Sequence, residues 1–89
     1  MRVTWTPNEY GGFEYRIGDV VLYVVPVRTV TRKFKTTAAR GSLWRAGCSR
    51  WDAATSTLAR YGRDRSDEHV TKMIDAKTIA IEIYNEATP

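Results

Sequence analysis

The segment RTVTRKFKTTAAR, residues 28–40, carries Arg28, Arg32, Lys33, Lys35 and Arg40 and no carboxylate. The formal charge of the whole chain is +4, so these five cations leave a net −1 on all the other residues together. Guanidinium and ammonium groups interleaved with threonine hydroxyls form the donor set that contacts a phosphate backbone. Five such charges release enough counterions for weak, salt-sensitive binding to a nucleic acid, with no base-reading element beside them. The five residues are therefore nucleic-acid-binding candidates. The competing expectation is a mobile, solvated connection, residues 26–42, with a secondary electrostatic role.

Other reactive side chains are sparse. Cys48 is the one thiol and His69 the one imidazole. That pair cannot supply a four-ligand zinc site. Cys48 lies in a β-prone run and is expected to pack as a small hydrophobe rather than act as a nucleophile. The glycines of YGGF and YGRDR are too few and wrongly spaced for a phosphate loop or a dinucleotide fingerprint. Glu9, Glu14 and Asp19 fall by turns or on a strand and read as solvated. No enzyme, metal or cofactor is expected. A lone cysteine suits a reducing compartment. The longest apolar run, VVLYVVPV at residues 20–27, is far short of the ~20 residues of a membrane span and contains a proline. The opening MRVTWTPNEY lacks the apolar core of a signal peptide. These features point to the cytoplasm and away from the membrane.

The elements that must position these residues fit a single domain, 1–89. In GFEYRIGDVVLYVV, Gly18-Asp19 separates two β-prone runs, as a two-residue hairpin turn requires. Ile17 then faces Val20, Tyr15 faces Leu22 and Phe13 faces Val24, all on one side. Glu14, Arg16, Val21, Tyr23 and Val25 fall on the other. Upstream, RVTWT reads as a short strand ended by Pro7, and Pro26 is expected to interrupt the ladder downstream. Residues 43–51 and 56–62 read as a second hairpin of open register. A two- or four-residue loop sets Ala59 and Tyr61 beside Trp44, Ala46 and Cys48, whereas a three-residue loop sets Leu58 and Arg60 there. Ser66, followed by Asp67 and Glu68, reads as a helix start, giving a C-terminal helix over 66–86. Its apolar face would hold Val70, Met73, Ile74, Ile81 and Tyr84, opposite Asp75, Glu82 and Glu86. Within it, TIAIEIY also alternates as a strand would; the lack of a turn residue from Ser66 to Ala87 favours one continuous helix. The expected fold is α+β: an antiparallel sheet of about four strands in hairpins, with one C-terminal helix packed on one face.

One helix covers one sheet face, yet the first hairpin is apolar on both. Val21, Tyr23 and Val25 are then left over, and each fully buried large side chain is worth about 1.5–3 kcal/mol. Either the N-terminal segment or residues 26–42 fold over them, or they meet a second copy or another protein. Arg16, Arg45, Trp51 and Tyr61 complete an interface-like composition, so these four, with Val21, Tyr23 and Val25, are partner-binding candidates.

GGFEYRIGDVVLYVVPV, WRAGCSRW and LARYGRDRS, in that order ahead of the helix, resemble small accessory proteins encoded by actinobacterial tailed phages. The likeness runs over most of the chain and contains no catalytic motif. It implies a protein that acts by binding, often on host components, inside the host cell, and it supplies no site residues. The combined expectation is a non-enzymatic accessory protein that engages a host protein as a homo-oligomer. The alternative is nucleic-acid binding through residues 28–40.

Overall fold

Gly18 adopts φ +61°, a value open to glycine and strained for a β-branched residue, and with Asp19 it closes a two-residue turn between Ile17 and Val20. The computed structural model describes residues 2–32, 35–39 and 41–89, residues 29–32 and 35 by their backbone. Its strands are β1 (Thr6–Pro7), β2 (Phe13–Ile17), β3 (Val20–Pro26), β4 (Thr29–Arg32), β5 (Lys35–Ala38), β6 (Trp44–Asp52) and β7 (Thr57–Arg60), followed by helix α1 (Met73–Ala87). Five strands form one antiparallel sheet in the order β1-β2-β3-β6-β7, and β4 and β5 pair separately as a two-stranded ribbon. The helix packs on one face, so the class is α+β as the sequence predicts.

The first hairpin has the expected register, with Phe13 opposite Val24, Tyr15 opposite Leu22 and Ile17 opposite Val20. The strand expected before it shrinks to Thr6–Pro7, with Pro7 as its last residue. An edge position tolerates proline because no inward ladder bond needs its missing N–H. Asn8 turns the chain next, its Oδ1 accepting from the N–H groups of Tyr10 at 3.0 Å and Gly12 at 2.9 Å. Pro26 does not interrupt its strand but ends it, paired with Trp44.

The second hairpin resolves to the four-residue loop Ala53–Ser56, closed by the pair Asp52 and Thr57. Asp52 Oδ1 accepts from Ala54 N–H at 3.0 Å, and Ser56 sits at φ +54°. Ala59 therefore faces Arg50, and Tyr61 N–H donates to Cys48 O at 2.8 Å.

The helix departs from expectation at its start and on its buried face. It begins at Met73, not Ser66. Residues 66–72 are claimed by other bonds: Asp64 Oδ1 accepts from Ser66 N–H at 3.0 Å, and Val70 exchanges both backbone hydrogen bonds with Trp44, at 2.7 and 2.8 Å. Arg65, its side chain only 13% exposed, ties this loop to the helix by pairing with Glu68 at 2.5 Å and Glu82 at 2.7 Å. The buried helix residues are Ala76, Ile79, Ala80 and Ile83, while Ile74 is 64% exposed. Spacing of i, i+3, i+4, i+7 is the helical repeat; weighing only bulky residues hides it, because two of its members are alanines. Their small size lets the helix backbone reach β6, where the Cys48 thiol donates to Ala80 O at 3.3 Å. Val20, Leu22, Val24, Ala46 and Cys48 complete this core from the sheet.

Candidate binding face

Alternation along the strands decides what the helix leaves uncovered. Val20, Leu22, Val24, Ala46 and Cys48 face α1, so the intervening residues of β3 and β6 and their cross-strand neighbours form the open face. Three rows cross it: Arg16, Val21, Ser49 and Arg60; Glu14, Tyr23 and Gly47; and Val25 with Arg45. Trp51 and Leu58 pair at its far end.

These rows line a concavity of about 420 Å³, with Val21, Tyr23, Val25, Pro26 and Leu58 as apolar wall and Arg16, Arg45, Glu9 and Glu14 as charged rim. Tyr23 anchors it. A Cβ built on Gly47 would lie 2.5 Å from the Tyr23 Oη and 2.7 Å from its Cζ, so the ring lies directly on the β6 backbone. Only glycine leaves room for that ring, which in turn shields a strand position with no side chain of its own. Beside it Arg16 Nε pairs with Glu14 Oε2 at 3.3 Å. At the rim, the hydrogen bond to Glu9, followed by that carboxylate's charge, holds the Tyr10 phenol above its usual range. Tyr10, Trp51 and Leu58 each leave more than half of their surface exposed, at 59%, 54% and 59%.

Five of the partner-binding candidates, Arg16, Val21, Tyr23, Val25 and Arg45, come together in this concavity, and Trp51 shares their face. Tyr61 does not. The four-residue loop puts it opposite Cys48 on the helix side, where its ring lies 6.2 Å from that of Tyr84 and its hydroxyl is 2.5 Å from Thr88 Oγ1. The Arg50 guanidinium sits 5.3 Å from the same ring. Tyr61 thus serves the packing of the helix end. Sequence reasoning missed Leu58, Glu9 and Tyr10 as wall and rim. Leu58 follows from alternation once the loop length is known, whereas the turn carrying Glu9 and Tyr10 arrives only through tertiary packing.

Of the nucleic-acid candidates, Arg28 is exposed at the root of the ribbon, and Arg32 and Lys35 are register partners within it. Residues 26–42, expected as a solvated connection, contain this paired β-ribbon. Lys33 and Arg40 lie outside the described residues. Cys48 is buried, and burial pushes its thiol up to about 12, far from a thiolate nucleophile at neutral pH. His69 is exposed and precedes the helix rather than lying in its first turn. Among the described residues no three His, Cys, Asp or Glu side chains group as metal ligands. No helix among them is long and apolar enough to cross a membrane. No family model matches the chain, and neither a curated protein nor a solved structure matches it significantly.

Proposed function

We propose that this chain is a non-enzymatic binding protein, working as a homo-oligomer, that engages a protein partner through the open face of its sheet. The observation that carries the reading is the concavity lined by the half-buried Val21 and Tyr23, with Val25 buried at its base, and flanked by Arg16 and Arg45. An apolar centre with an aromatic anchor and a charged rim is the anatomy of a protein interface. The rim holds two guanidiniums and two carboxylates, so a second copy can dock on it without like-charge repulsion. The resemblance to phage accessory proteins supports a protein of the host cell as the hetero-partner.

Affinity capture from host lysate, with nuclease present, tests this reading when wild type and Tyr23→Ala are run side by side. The expected result is a partner retained by the wild type and lost by the variant, with the purified wild type at least dimeric by light scattering at tens of micromolar. A monomeric chain whose capture profile is unchanged by Tyr23→Ala refutes it.

A further inference from the structure

We infer that the β4–β5 ribbon is an arm that binds double-stranded DNA by its phosphate backbone, a function separate from that of the open face. The ribbon branches off where the main sheet closes. Pro26 and Trp44 are the last pair between β3 and β6, and Val27 N–H donates to Leu43 O at 2.7 Å just beyond them. A second ladder then starts, with Ala39 N–H donating to Arg28 O at 3.3 Å. Ser42 Oγ clamps the root by bonding to Arg28 O at 2.9 Å and Ala39 O at 2.5 Å. The β5 backbone at Thr37 and Ala38 also lies against Gly11, where any Cβ would be 2.8 Å from Ala38 N. The arm therefore leaves the body from a fixed root.

Register sorts its residues. Val30 pairs with Thr37 and Arg32 with Lys35, which places Arg28, Arg32 and Lys35 on one ribbon face. Thr29, Thr31 and Thr36 fall on the other. At about 3.3 Å per residue, Arg28 to Arg32 spans roughly 13 Å. The major groove of B-form DNA is about 12 Å wide and about 8.5 Å deep and admits a two-stranded ribbon. Arginine, lysine and threonine are donors that hold such a ribbon to phosphates. The body bears a net −1, and the helix carries Asp75, Glu82 and Glu86, so the arm is where the field favours a polyanion. No acidic residue lies within residues 28–40 to offset it.

Fluorescence anisotropy with a labelled 20-base-pair DNA duplex, its single strand and an RNA duplex of the same sequence tests the arm between 50 and 200 mM salt. The wild type should bind the DNA duplex with micromolar affinity at 50 mM salt. If Arg28, Arg32 and Lys35 each meet a phosphate, the affinity falls about 40-fold across that salt range, at a slope of about 0.9 per phosphate. The variant Arg28→Gln/Arg32→Gln/Lys35→Gln should melt like the wild type and lose this salt-dependent binding. The RNA duplex should bind more weakly, since its deep, narrow major groove excludes a ribbon. No DNA binding at 50 mM salt, an unchanged salt slope in the triple variant, or equal affinity for all three nucleic acids overturns the assignment. DNA binding that Tyr23→Ala abolishes and the triple variant spares would move the site to the open face, and also overturns it.

Discussion

Gly47 and Tyr23 offer the sharpest test of how the open face is built. A methyl group at position 47 would sit 2.5 Å from the Tyr23 hydroxyl oxygen, well inside van der Waals contact. Gly47 is held in the β3–β6 ladder and flanked on the other edge by the Tyr61–Cys48 bond and the Trp44–Val70 bridge, so the ring must swing away. Such overpacking costs about 1–3 kcal/mol. Against it stands the gain from replacing a glycine inside a strand, about 0.5–1 kcal/mol. Gly47→Ala alone should therefore destabilise the chain by about 1–2 kcal/mol, and at this size each kcal/mol lowers Tm by about 4–8 °C. In a Tyr23→Ala background the clash is gone and only the gain remains, so the same change should be neutral or stabilising by up to about 1 kcal/mol. The coupling in the double-mutant cycle is then about 1–3 kcal/mol. Urea melts of the four proteins measure it. If Gly47→Ala costs the same whether or not Tyr23 is present, the ring does not lie on β6. The cycle also bears on function. Gly47→Ala keeps every side chain of the face but moves its anchor, so partner binding should weaken by about 2 kcal/mol, roughly 30-fold.

Three further outcomes are expected. Val21→Glu places a carboxylate in the middle of the concavity and should turn an oligomer into a monomer by light scattering without loss of solubility; an unchanged mass counts against self-association through this face. Gly18→Val should cost about 1–3 kcal/mol because valine resists the φ of +61°, while Asp19→Asn should melt like the wild type. Cys48 should resist thiol reagents in the folded state at pH 8 and react on unfolding. Its folded pKa of about 12 lies above the unfolded value, so its contribution to stability is complete below about pH 9 and is lost as pH rises toward 12. Cys48→Ala should flatten that part of the pH–stability curve, and an equal slope in the variant would exclude the thiol as its source.

What the sequence reveals of this fold depends on whether a local signal or a distant partner decides each element. The Gly18-Asp19 hairpin is legible because turn chemistry and period-two alternation agree on one register. The second hairpin is not, since Ala53–Ser56 holds no turn signature and the residue at positive φ is Ser56, not a glycine. Ser66, Asp67 and Glu68 carry genuine helix-start chemistry, yet a backbone bridge between Val70 and Trp44, twenty-six residues apart, removes them from the helix. The open face is half legible. Alternation puts Arg16, Val21, Tyr23, Val25 and Arg45 together, but placing Tyr61 needs the loop length, and finding Tyr10 at the rim needs the tertiary fold.

The two candidate surfaces are separable because of how the arm joins the sheet. β3 and β6 are direct neighbours, so the fifteen residues from Arg28 to Ser42 connect strands that already pair without them. The bond from Val27 N–H to Leu43 O is one that a two-residue turn would retain. Replacing residues 28–42 by Asn-Gly should therefore give a β3–β6 hairpin with its register intact. Shortening the loop removes about 2 kcal/mol of closure entropy, offset by whatever the ribbon itself contributes, and a lone two-stranded hairpin is marginal. Stability should accordingly stay within about 2 kcal/mol of the wild type. The shortened chain should keep its oligomeric mass and its sensitivity to Val21→Glu, and lose DNA binding and its salt slope. If shortening breaks up the oligomer while the melt stays cooperative, the ribbon belongs to the protein interface, and the division of labour between arm and face is wrong.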